Sequence, residues 1–162
     1  MIDHKHSTAT ANLVAIDVAK DWNVVLVRDL AGNRRHFKVA NRLADHDQFV
    51  AFLKTLGGPV RAGLEPTGDY HRPLAYRLLK EGFDVVSISS IALARVREAR
   101  YGTWDKNDPK DAQVILFMLA QNPVQIYYDP LLNGTHDVQE LASTYFQLSL
   151  ARVRLQHSLV LH

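Results

Sequence analysis

The sequence contains no cysteine, which rules out disulfides and thiolate metal sites and leaves oxygen and imidazole as the side-chain ligands for any metal. A reducing, cytoplasmic setting fits that absence. Long apolar runs are missing too: no window approaches the roughly 18 to 20 unbroken apolar residues of a membrane span, so a soluble protein without membrane association is expected. The opening Met1-Ile2-Asp3-His4-Lys5-His6-Ser7 is polar and lacks the apolar core of a secretory signal, and residues 1–11 read as a disordered tail. Charge of one sign is also scarce. The 19 Lys and Arg against 17 Asp and Glu leave a formal +2, too little to argue for nucleic acid by itself. Of the eight histidines only His4 and His6, in the tail, stand at metal-ligand spacing, which reads as accidental. What remains is ordinary: 162 residues, 47% hydrophobic and 22% charged, suit one compact domain with an appended element.

The pattern along the chain alternates between two periods. Leu13 to Asp17 and the valine-rich Trp22 to Arg28 read as strands, and Leu30-Ala31-Gly32-Asn33 supplies turn chemistry before a third strand at His36 to Val39. Asp45 is placed to cap a helix carrying Phe49, Phe52, Leu53 and Leu56 at helical spacing, which Gly57-Gly58 ends. Val60 to Glu65 follows as a buried strand, then a helix from Tyr70 to Lys80, a strand from Phe83 to Ile88 and a short helix from Ile91 to Ala99. A further helix opens at Asp108-Pro109, and Val124 to Tyr128 is extended. Three hairpin-linked strands followed by strands alternating with helices predict an α/β fold, a mixed sheet with helices on its faces.

The last segment is helical, with Val138, Leu141, Tyr145, Leu148, Arg152, Leu155 and Leu159 at the heptad spacing of a coiled-coil seam. A homodimer or higher oligomer through this helix is expected. The chain stops at His162 inside the pattern, from which a longer parent protein is expected. The domain reading is therefore a tail over 1–11, a catalytic domain over 12–128, and the start of a helical linker over 129–162. Two basic clusters stand out, Arg34, Arg35, His36 and Lys38 in the hairpin and Arg95, Arg97 and Arg100 before an acidic block. Each is a solvated face or a set of phosphate contacts.

Four acids sit where packing least explains them. Asp17 ends the first strand, Glu65 ends the fourth, and Asp108 and Asp111 open a helix three residues apart. Carboxyl ends of neighbouring parallel strands share one edge, where ligands bind in α/β sheets. Four carboxylates gathered there would repel one another, and divalent cations relieve that; hard oxygen ligands favour Mg²⁺ or Mn²⁺ over zinc. Two such ions can clamp the attacking and leaving oxygens of a phosphodiester. Taken singly, the acids have plainer readings. Asp108, Pro109 and Asp111 suit the N-cap, N1 and N3 of a helix, Asp17 suits a turn, and Glu65 suits an ion pair with Arg61 or Arg72.

Ala15-Ile16-Asp17-Val18-Ala19-Lys20, Leu64-Glu65-Pro66-Thr67-Gly68-Asp69-Tyr70 and Lys106-Asn107-Asp108-Pro109-Lys110-Asp111-Ala112 resemble the three acidic blocks of the DEDD insertion-sequence transposases. The resemblance covers roughly residues 12 to 121 and a helical continuation. It implies an RNase H-like, RuvC-like fold, with Asp17, Glu65, Asp108 and Asp111 as catalytic residues that hold divalent metals. It also implies DNA as substrate, a structured guide RNA as partner, and a nucleophilic serine in a further domain. Thr67, Gly68 and Tyr70 match the loop beside the second carboxylate, where a turn would explain Gly68 and core packing Tyr70. Ser143, Ser149 and Ser158 read as exposed helix positions, and no catalytic serine is assigned. Trp104 pins its loop or stacks on a base.

The function expected is thus a metal-dependent DNA recombinase domain, with Arg34, Arg35, Lys38, Arg95, Arg97 and Arg100 on nucleic-acid phosphates. Such a chain would bind nucleic acid modestly and in a salt-sensitive way, without exchanging strands alone. The alternatives are a non-catalytic nucleic-acid-binding or dimerisation module, and a nucleotide-binding domain of the actin and sugar-kinase type. The latter lacks the glycine-rich phosphate loops it would need.

Overall fold

The computed structural model describes residues 11–101, 108–121, 124–127, 129, 132, 134 and 136–160. The expected tail, Trp104 and the loop 102–107 lie outside the described residues. The chain divides into two compact units, residues 1–127 and 128–162.

The first unit is built on a six-stranded sheet of β1 (Asn12–Asp17), β2 (Trp22–Arg28), β3 (Arg34–Ala40), β4 (Val60–Leu64), β5 (Asp84–Ser87) and β6 (Gln125–Ile126), in the order β3-β2-β1-β4-β5-β6. β2 is antiparallel to both β1 and β3, β4 is parallel to β1 and to β5, and β6 returns antiparallel to β5. This is the RNase H-like mixed sheet, with β1 in the middle. Helices α1 (Leu43–Thr55) and α2 (Arg72–Lys80) belong to one layer, α3 (Ser90–Tyr101) and α4 (Asp108–Gln121) to the other.

Strand alternation sorts the core between these layers. Val14, Ile16, Ala62 and Leu64 pack with Phe49, Leu53, Leu74 and Leu78 on the α1–α2 side, while Leu13, Ala15, Leu26 and Val86 pack with Leu93, Ile115, Met118 and Leu119 on the α3–α4 side. The hairpin turn forms as expected, with Gly32 at φ 88° and the Asp29 carboxylate accepting the Asn33 amide at 2.9 Å. Asn12, buried at the start of β1, is satisfied by three loop groups: it donates to the Gly57 and Pro59 carbonyls and accepts the Leu30 amide. None of the described helices is long and apolar enough to cross a membrane.

Several boundaries differ from those read in the sequence. β3 runs from Arg34 to Ala40 because it pairs along all of β2. α1 begins at Leu43 behind Arg42 with no side-chain cap, and Asp45 sits inside its first turn, where a carboxylate still meets free amides. α2 starts only at Arg72, since Thr67 to Tyr70 is a turn closed by the Tyr70 amide on the Thr67 carbonyl at 3.2 Å. Tyr70 is exposed, so core packing does not explain it.

Gly63 of β4 lies directly beneath Leu119 of α4. A Cβ there would lie 2.6 Å from Leu119 Cδ2 and 2.8 Å from its Cγ, and Leu119 is fully buried. Gly63→Ala is expected to cost about 1 to 3 kcal/mol through overpacking. Urea unfolding measures it, and an unchanged midpoint would show that α4 can yield.

His46 is buried in α1, and its Nε2 has no hydrogen-bond partner among the described residues. Burial, opposed by Asp45 and Asp47, lowers its pKa below the ordinary 6.5. The unfolded chain then binds the proton more readily, so the stability His46 contributes is complete above pH 6.5 and is lost as pH falls below it. His46→Leu should therefore lose less stability than the wild type between pH 7.5 and 5. Parallel curves for the two proteins would refute a neutral, buried His46.

The second unit contains α5 (His136–Val160). Val138, Leu141, Tyr145, Leu148 and Leu155 of the expected seam are exposed; the side chain of Leu159 lies outside those described. Phe146, Leu150 and Val153 are exposed as well. At about 100° per residue they form a second apolar stripe, nearly opposite the first.

Candidate active site

Parallel pairing sets Ile16 of β1 beside Leu64 of β4. The next residues, Asp17 and Glu65, thus leave the sheet side by side at its carboxyl edge. Alternation gives them a common side: Leu13 and Ala15 pack in the α3–α4 layer and Gly63 lies under Leu119, so Asp17 and Glu65 continue the rows that face α4. Asp17 is buried. Glu65 is half-buried and forms no ion pair among the described residues. The arginines that the sequence offered it are engaged elsewhere, Arg61 with Asp84 at 2.8 Å and Arg72 with Asp69 at 3.5 Å.

The loops at this edge are tied together by Asn41, just beyond β3. Its amide donates to the Lys20 carbonyl at 3.3 Å and the Tyr70 carbonyl at 3.2 Å, which links the turns that follow Asp17 and Glu65. Gly68 lies between them at φ 48°, a left-handed conformation that explains glycine there. No sequence signal marked Asn41, because its partners are main-chain carbonyls 21 and 29 residues away.

The other two acids belong to the first turn of α4. Leu119 covers Gly63, and Leu116, Ala120 and Gln121 border a cavity with Arg28, which pairs with Leu13 at the start of β1. The later part of α4 therefore lies over the early part of β1. Its first turn, about 12 Å back along the axis from Leu119 to Asp111, points toward the strand ends. Asp108 is the first residue of α4; its carboxylate lies outside the described side chains. Asp111 is fully buried, unlike an acid that only serves exposed first-turn amides. Its Oδ1 accepts Arg97 Nε of α3 at 2.5 Å, while its Oδ2 is buried without a hydrogen-bond partner among the described residues.

Arg97 itself is a correction. It was expected on a phosphate, but it is 8% exposed and committed to Asp111, because its position on α3 turns it toward α4. Arg34, Arg35, Lys38, Arg95 and Arg100 are exposed. Arg35 lies 5.7 Å above the Phe52 ring, Lys38 lies 5.0 Å above Trp22, and Arg100 lies 4.2 Å above Phe117.

Among the described residues no three acids or histidines stand close enough to hold a metal ion. The strand register joins Asp17 and Glu65, and Asp111 does not stand close enough to both to complete a metal-binding trio. Arg97 already balances the charge of Asp111, and the second carboxylate oxygen, buried with no hydrogen-bond partner among the described residues, is the donor type a hard cation takes.

Thermus thermophilus RuvC is similar at 11% identity over 72% of this chain and 99% of that one, with TM-scores of 0.46 by itself and 0.45 in complex with a Holliday junction substrate. No curated protein sequence matches the chain. The sequence profile of a transposase family, the DEDD type of IS110, matches residues 14–161, nearly the whole length. With its three acidic blocks inside that match, the chain belongs to the IS110-type DEDD transposases.

Proposed function

We propose that this chain is the catalytic domain of a DNA transposase that uses Mg²⁺ or Mn²⁺ on Asp17, Glu65, Asp108 and Asp111 and is directed to its DNA by a structured RNA. The observation that supports the metal reading is the level placement of Asp17 and Glu65 on adjacent parallel strands. The RNA rests on the family resemblance of the acidic blocks. Bound divalent ions would supply charge neutralisation at a phosphodiester. The chain's own residues do the rest. Asp17, Glu65 and Asp111 present anionic oxygens on one side of the sheet, Arg97 holds Asp111 in a fixed rotamer, and Asn41 keeps the two loops in register. Exposed Arg34, Arg35, Lys38, Arg95 and Arg100 meet the nucleic-acid backbone, and its release of counterions makes binding salt-dependent.

Calorimetric titration with Mn²⁺ tests this. The wild-type protein should bind without nucleotide, and Glu65→Gln should weaken binding by at least about tenfold. Equal affinity in the two proteins would remove Glu65 from the site.

α5 joins copies of the chain in the same proposal. Burying each exposed apolar side chain contributes about 1.5 to 3 kcal/mol, and two opposed stripes suit a bundle of more than two helices rather than a simple pair. In sedimentation, Leu141→Glu with Leu148→Glu should convert an oligomer to a monomer. A wild-type monomer would refute the bundle.

A further inference from the structure

Both basic clusters, distant in sequence, reach one cavity on the α4 side of the sheet. Arg28 and Arg34 come from the hairpin, Arg100 and Tyr101 from the end of α3, and Gln113 and Gln121 from α4, around a space of about 200 Å³. Arg28 was in neither cluster. It stands directly opposite Arg34 in the antiparallel register, and facing like charges weaken a sheet. No carboxylate among the described residues pairs with Arg28, Arg34 or Arg100. Arg100 is held in place by its stacking on Phe117 at 4.2 Å. Tyr101 donates its hydroxyl to Gln113 Oε1 at 3.2 Å, which leaves the Gln113 amide nitrogen as a further donor.

Three guanidinium groups kept together without an anion of the protein's own call for an anion from outside. The cavity is smaller than the roughly 300 to 1,000 Å³ of sites for whole small molecules, yet guanidinium forks match the oxygens of a phosphate. It is also remote from the carboxylates: Arg28 pairs with Leu13 and Val24 with Asp17, four residues along β1, or about 13 Å. Along a duplex at 3.4 Å per step that is about four nucleotides.

We infer that this cavity seats a backbone phosphate of the nucleic acid bound by the domain, a second anchor about four nucleotides from the strand ends that carry Asp17 and Glu65. The inference rests on the nucleic-acid reading above and adds a place for it. A strand gripped at both points has its register along the carboxylate edge set by the protein.

The test uses the full chain with Arg28→Gln, Arg34→Gln and Arg100→Gln combined, against a control that neutralises Arg42, Lys54 and Lys80. Fluorescence anisotropy is read with a DNA duplex and with a structured RNA over a range of salt. The cavity variant should bind at least one of them about tenfold more weakly and lower the slope of log affinity against log salt by about one. The control should change both far less, and the probe that loses affinity identifies the occupant. Equal losses in the two variants, or none in either probe, would overturn the anchor. Displacement of the probe by millimolar inorganic phosphate in the wild type alone would reassign the cavity to free phosphate, and that too overturns it. Arg28→Gln alone should raise the melting temperature by relieving the facing charges; a fall would mean the arginine supports the fold. Mn²⁺ binding should be unchanged in the cavity variant, so failure here leaves the carboxylate reading intact and failure there leaves this one intact.

Discussion

Asp17→Asn should reduce DNA strand cleavage by the assembled transposase about 100- to 1,000-fold, the loss typical when one preorganised electrostatic group is removed from a transition state. Asparagine keeps the shape of the side chain and removes its charge. Asp17 is buried at the end of the central strand, beside Glu65 and on the side facing α4. The melting temperature should stay close to that of the wild type, because asparagine fills the same volume at the same strand position. Single-turnover cleavage measured beside thermal unfolding separates the two effects. Cleavage within threefold of wild type would exclude Asp17 from the chemistry.

The largest effect on stability is expected at the Arg97–Asp111 pair. Arg97→Leu leaves the fully buried Asp111 carboxylate without its partner and should cost about 3 to 5 kcal/mol. Adding Asp111→Leu should return most of that loss, since two apolar side chains often replace a buried ion pair at little cost. Metal offers an independent readout. If Asp111 is a ligand, Mn²⁺ should raise the melting temperature of Arg97→Leu more than that of the wild type, because the ion then replaces the missing cation and binds only the folded state. A loss below about 0.5 kcal/mol, as at an ordinary surface position, would refute a structural pair. A double variant no better than Arg97→Leu would locate the damage in packing instead.

These two residues show the limit of reading acids and bases by type. The spacing of Asp108 and Asp111 matched both a helix start and a metal site, and each reading uses the same first turn. Burial removes the plain capping reading: Asp111 faces inward, and its ion pair with Arg97 accounts for its place there. Arg97 was grouped with Arg95 and Arg100 because the three are close in sequence. On a helix, residues two apart such as Arg95 and Arg97 point in different directions while Arg97 and Arg100 share a face, and only the packing of α4 on α3 decides which of them is covered.

The sequence alone was enough for the order of strands and helices, the α/β class and the positions of Asp17 and Glu65 at strand ends. Those follow from local period and turn chemistry, which act over a few residues. The three acidic blocks likewise led to the family. Only the tertiary structure could place Asp17 level with Glu65, since the parallel register between strands 48 residues apart, Ile16 to Leu64, is set by packing on both faces of the sheet. Tertiary contacts also joined Arg28, Arg34 and Arg100 around one cavity and gave Asn41 its two carbonyls. In each case the deciding interaction links groups far apart in the chain, where no local pattern records it.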